Sequence, residues 1–133
     1  MEKIEQYVLV AGRLLIALMF VSSGISKIFA YEMTQGYMDA MGVPGGLLPL
    51  VILTEAVGGL FLIVGFQTRI TAFLLAGFAI LSALLFHNNF ADQNEMINFM
   101  KNLSISGGLF FVMIHGAGAL SLDAKFKRTL ALA

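Results

Sequence analysis

The stretch from Val8 to Ala30 is apolar except for Arg13, Lys27 and a few Ser and Gly positions, and this run constrains the fold more than any other feature of the chain. At ~1.5 Å of rise per residue, a helix of this length matches a hydrocarbon core of ~30 Å. It exceeds the apolar region of a cleaved leader. Glu2 and Glu5 stand beside Lys3 ahead of it and no Ala-x-Ala site follows, so it reads as a retained span. Three further apolar segments occupy about 46–66, 70–86 and 103–120, the last diluted by Ser104, Ser106, Gly107, Gly108 and His115. Helices of a water-soluble bundle would carry polar faces, and these do not. Only 12% of the 133 residues are charged, against ~25% in soluble domains. The expected fold is all-α: an integral membrane four-helix bundle with short outer-face interfacial segments. It reads as one domain over residues 1–133, with spans at about 8–30, 46–66, 70–86 and 103–120.

Lys3, Arg69, Lys125, Lys127 and Arg128 flank one set of span ends, and Lys27 and Lys101 the other. The more basic side is expected to be cytoplasmic, which places both termini there and two loops outside. In the first outer loop Met33, Tyr37, Met38 and Met41 recur at helical spacing before Gly42-Val43-Pro44-Gly45-Gly46, the pattern of a short interfacial helix with a Gly/Pro stop. The second, His87 to Asn102, mixes Asn and acids with Phe90, Met96, Ile97, Phe99 and Met100, and is expected to lie on the surface or dip over the bundle. Ala72, Ala76, Ala79 and Ala83 form a stripe of small residues at 4, 3, 4 spacing on the third span, a face for close helix packing. It reads as packing within one bundle, with a homo-oligomer as the alternative.

Eight basic and eight acidic residues cancel, so nothing points to a nucleic-acid partner. With no cysteine, a disulfide, a thiolate nucleophile, a Cys-ligated iron–sulfur cluster and covalent c-type haem are excluded. The remaining chemistry rests on ionisable groups at membrane depth, which cost ~2.5–3.5 kcal/mol each on insertion scales and require a partner or a purpose. Lys27, Glu55, His87, Lys101 and Asn102 all fall toward the outer half, one or two from each span. Glu55 is the deepest, roughly 12 Å down by helical rise, and needs a proton or a cation; Lys27 or Lys101 is the expected partner. A single registry-fixing ion pair would explain two of these residues, whereas the five together point to a polar pocket for ligand binding or proton handling. Arg13 and His115 are secondary candidates. Arg13 shares a helical face with Phe20, Gly24 and Lys27 and is expected to snorkel to head groups, and His115 to hydrogen-bond a neighbouring helix. The two histidines differ in depth by ~20 Å, which argues against a shared haem, and no cluster has metal-ligand spacing.

Phe20-x-x-x-Gly24-x-x-Lys27, Glu55-x-x-x-Gly59 followed by Gly65-Phe66-x-x-Arg69, and Asn98-Phe99-x-Lys101-Asn102-x-Ser104-x-x-Gly107 resemble the DoxX family. The closing Gly116-x-Gly118-x-x-Ser121-Leu122-Asp123 is similar to its YphA-type members. The resemblance implies a small four-helix protein of the bacterial inner membrane. It also implies a redox association, either as a membrane subunit beside a membrane or periplasmic oxidoreductase or as the binder of a quinone. Without cysteine, an accessory role is expected over an autonomous enzyme. An ion-coupled small-solute carrier and a non-catalytic scaffold or assembly factor are the alternatives; no inverted repeat or broken helix marks a carrier.

Overall fold

The computed structural model describes the backbone of residues 2–132 and the side chains of residues 2–128. The described residues form six α-helices and one 3-10 turn, with no strand: α1 (Glu2–Phe29), α2 (Tyr31–Ala40), the 3-10 turn Gly45–Leu47, α3 (Leu48–Val64), α4 (Thr68–Phe86), α5 (Gln93–His115) and α6 (Leu122–Leu132). α1, α3 with its leading turn, α4 and α5 are each long and apolar enough to cross a membrane. The chain is thus an all-α integral membrane bundle of four long helices. Its outward side chains agree: Leu15 and Phe111 are each 71% exposed, while Arg13, Glu55, Thr68, Asn102 and Ser106 are buried. That inversion of the soluble pattern places lipid, not water, around the bundle.

The bundle is built from two tight pairs, α1 on α3 and α4 on α5, which meet through α3 and α4. The first pair closes at Gly59, where a β-carbon would stand 2.6 Å from a methyl of Val21 and 3.2 Å from the carbonyl of Ala17. The second closes along the alanine stripe, in which Ala72, Ala76, Ala79 and Ala83 are all buried. Small side chains leave the α4 carbonyls reachable from α5: Asn102 Nδ2 donates to the Ala79 carbonyl at 3.2 Å, and Ser106 Oγ to that of Ala76 at 3.1 Å. Interhelical bonds of this kind average ~0.6 kcal/mol in lipid, so they set register as much as they add stability.

α2 is the short interfacial helix expected from the methionine spacing. It is fastened to the turn that follows it, with Asp39 Oδ1 accepting from the Gly45 N–H at 2.7 Å and Gln35 Nε2 donating to the Gly45 carbonyl at 3.2 Å. Three boundaries differ from the hydropathy reading, the first being that α1 already runs from Glu2, ahead of the apolar stretch that begins at Val8. The fourth long helix begins at Gln93, ten residues before the apolar stretch, where the Asp92 side chain accepts from the Asn94 N–H at 2.9 Å. Much of the second loop is therefore a polar extension of α5, invisible to a hydropathy window. The same helix stops at His115 because Gly116 takes a positive φ of 75°.

At the opposite end from Lys27, the tail folds back onto the bundle. Asp123 supplies the missing acceptors at the start of α4, its Oδ1 taking the Gln67 N–H at 2.7 Å and its Oδ2 the Thr68 N–H at 2.9 Å. Its own N–H donates to the Gly65 carbonyl at 2.8 Å. Gly65 must be glycine twice over: φ is 68°, and a β-carbon there would collide with the Arg13 guanidinium.

Candidate functional site

The Lys27–Glu55 pair is held by the α1–α3 contact. Lys27 Nζ lies 2.9 Å from Glu55 Oε2 and 3.1 Å from Oε1, and it also donates to Ser23 Oγ at 2.6 Å. Ser23 Oγ in turn donates to Glu55 Oε1 at 3.2 Å. Ser23 and Lys27 are one helical turn apart on the face that packs on α3, so one carboxylate reaches both. The Glu55 side chain is 7% exposed and that of Lys27 25%, a pair anchored inside with its cation near the rim.

Two cavities share this pair as a common wall. The larger, about 430 Å³, is roofed by Thr34, Tyr37 and Met38 of α2 with Val43 and Leu47 of the following turn. Leu50, Val51 and Thr54 of α3 and Phe78, Leu81, Ser82, Leu85 and Phe86 of α4 complete its mostly apolar wall. Tyr37 fixes the roof to α4, donating to the Phe86 carbonyl at 3.3 Å and stacking on the Phe86 ring at 5.7 Å between centroids. Burial raises the Tyr37 pKa above its ordinary value, with the charge of Glu95 adding to the effect, so the hydroxyl stays a donor. The smaller cavity, about 230 Å³, lies toward α5 and is polar: Ser23, Ser82, Asn98, Lys101 and Asn102 line it together with Lys27, Glu55 and His87.

The structure therefore brings Lys27, Glu55, His87, Lys101 and Asn102 to one region, though not in one role. Lys27, not Lys101, is the partner of Glu55. Lys101 is exposed, with a single 3.4 Å contact to Asn98 Oδ1, and Asn102 spends one amide hydrogen on the α4 carbonyl. His87 caps α4 and pairs through Nδ1 with Glu95 Oε2 at 2.8 Å. Arg13 does not snorkel. It is 2% exposed, donates from Nη2 to the Leu120 carbonyl at 2.8 Å and leaves Nε and Nη1 buried without a partner among the described residues. Among the described residues His115 bonds no neighbouring helix; it is exposed, with Nδ1 2.9 Å from the Phe111 carbonyl of its own helix. Both lie at the far end, away from the cavities. Among the described residues no group of three or more His, Cys, Asp or Glu side chains is placed to hold a metal. Sequence reading missed Ser23, Ser82, Tyr37 and Glu95. The spacing of Ser23 one turn before Lys27 was the available signal; the others become site residues only through tertiary contact.

Four membrane-spanning helices around a buried ion pair, in a chain of 133 residues, define a small polytopic membrane protein with an internal polar centre. The DoxX profile matches residues 8–88, and the chain belongs to the DoxX family. It is 50% identical over 128 residues to the inner membrane protein YqjF of Escherichia coli K12, covering 96% of this chain and 98% of the relative. It is 32% identical to the inner membrane protein YphA of the same organism, covering 88% and 89%. A more distant similarity, 30% over 131 residues, links it to the yeast ER-derived vesicles protein ERV29, of which only 36% is covered. No solved structure matches the chain. This is a small inner-membrane protein of the DoxX type.

Proposed function

We propose that the larger cavity binds a lipophilic, quinone-like molecule from the bilayer, and that the protein serves as a redox-associated membrane subunit. One observation carries this reading: a cavity of about 430 Å³, walled mainly by Leu, Val, Phe and Met side chains, ends on the Lys27–Glu55 pair. Small-molecule sites typically span ~300–1,000 Å³ and combine apolar walls with a few converging polar groups. A quinone asks for that combination, an apolar bed for ring and tail and donors for its carbonyl oxygens. Lys27 is the charged donor on this wall, the Thr54 hydroxyl being spent on the Leu50 carbonyl at 2.8 Å, and Glu55 orients Lys27 and offers a carboxylate for a proton. When bound, a quinone supplies two-electron redox chemistry; the chain supplies orientation, exclusion of water and a proton-exchanging group. Electrons would come from a membrane or periplasmic oxidoreductase, a reading that goes with the proposed orientation in which the site faces the outer side and both termini lie in the cytoplasm.

The paired substitution Lys27→Met with Glu55→Leu tests the assignment, because it removes both charges without leaving one buried alone. In nanodiscs containing a short-chain ubiquinone, the wild type should bind the quinone saturably. The double variant, still folded by circular dichroism, should lose at least tenfold in affinity. Equal binding by both proteins would refute the site.

A further inference from the structure

The Lys27–Glu55 pair faces two chambers of opposite character, and the proposed ligand accounts for only one of them. The smaller chamber has donors and acceptors to spare. Among the described residues the hydroxyl of Ser82, which borders both chambers, has no hydrogen-bond partner, Asn98 offers its amide hydrogens, Asn102 keeps its oxygen free and Lys101 has one long contact. Several waters fit about 230 Å³, since each needs ~10–15 Å³ of such space and two to four polar partners. His87 lines this chamber as well as the larger one, and its Nδ1 pairs with Glu95, whose side chain is 28% exposed.

We propose that the smaller chamber is water-filled and is the route by which protons pass between Glu55 and the aqueous face, with His87 and Glu95 as its surface end. The proposal deepens the ligand reading above, because a quinone-like molecule exchanges protons as well as electrons. One chamber admits the apolar molecule from lipid, the other admits water, and Glu55 borders both. In the transfer, the O–H bond of protonated Glu55 breaks as a water O–H bond forms. The proton then binds a ring nitrogen of His87 and leaves to bulk water, and no electron moves. The charged and titratable groups around Glu55 are Lys27 from α1, His87 at the end of α4 and Lys101 from α5; Glu95 acts through His87, and Tyr37 of α2 borders only the other chamber.

Infrared spectroscopy of the ligand-free protein in nanodiscs tests this, with the Glu55 carboxyl band assigned by its loss in Glu55→Gln. After a jump from neutral to acidic pD, the band should appear within seconds. Asn98→Phe, which fills the smaller chamber without touching the larger, should slow its appearance at least tenfold, and Asn98→Ala should leave it fast. A wild-type band that is absent, or that appears only as the protein unfolds, overturns the proposal, as does equal speed in Asn98→Phe. Since no ligand is present, this outcome is independent of whether the larger cavity binds a quinone.

Discussion

A charge placed in lipid must find a counter-charge or lose its ionisation, and Lys27 with Glu55 shows the first solution in a bidentate 2.9 and 3.1 Å contact. Breaking such a pair from one side is costly, ~3–5 kcal/mol when both partners are fully buried. Here the lysine is 25% exposed and part of that cost is relieved by solvent. Lys27→Met alone should therefore lower stability by about 2 kcal/mol, while Lys27→Met with Glu55→Leu should recover most of it. Denaturant titration in mild detergent, read by loss of helicity, distinguishes these outcomes; a double variant as unstable as the single would show that the pair itself stabilises the fold. These two residues were legible in the sequence because depth along a helix follows from counting, and an unpaired charge at that depth is expensive. Arg13 was misread for a tertiary reason. Its burial depends on Gly65 and on the returning carbonyl of Leu120, more than a hundred residues later, and no local pattern announces either. His115 carried no distinguishing signal, since an imidazole bonding its own helix and one bonding a neighbour have the same sequence.

Among the elements, the alanine stripe and the methionine-spaced interfacial helix were both visible as periodicities, and both appear where the spacing put them. The polar start of α5 and the tail were not visible. Asp92 and Asp123 act as caps, one for its own helix and one for the start of α4 in another part of the chain. Only the first follows a local rule. Asp123→Ala removes two acceptors from the first turn of α4 and should cost about 1–2 kcal/mol, measurable in the same denaturant titration. Asp123→Asn should recover part of the loss, because the amide oxygen can still accept one bond. The roof helix α2 makes a different prediction. The Tyr37 pKa is raised in the folded state, so the fold favours the protonated phenol. That contribution is complete below the ordinary tyrosine pKa of ~10 and is lost as pH rises through the higher folded value. Spectrophotometric titration of the wild type minus Tyr37→Phe should show a phenol ionising above the ordinary tyrosine value of ~10, with α2 loosening only beyond that point.

At the scale of the whole molecule, the four-helix count was readable because the bilayer fixes the length of a span and excludes unsatisfied backbone. The division into two helix pairs was not, since it depends on which small-residue faces meet. That division matters for function: the pairs are joined mainly through α3 and α4, and the larger cavity opens where these two helices and the α2 roof enclose space above the ion pair. Membership of the DoxX family and 50% identity to an inner membrane protein over nearly its full length place the chain in its membrane. Quinone binding is the account's central claim, and the most direct measurement is mass spectrometry of organic extracts, with an ultraviolet–visible spectrum, on the protein purified in mild detergent from its native membrane. The account predicts a quinone-like lipid near one per protein, absent from the Lys27→Met, Glu55→Leu variant prepared alongside. Equal amounts of the same lipid in both preparations, or a colourless protein that takes up no added quinone in nanodiscs, would contradict it.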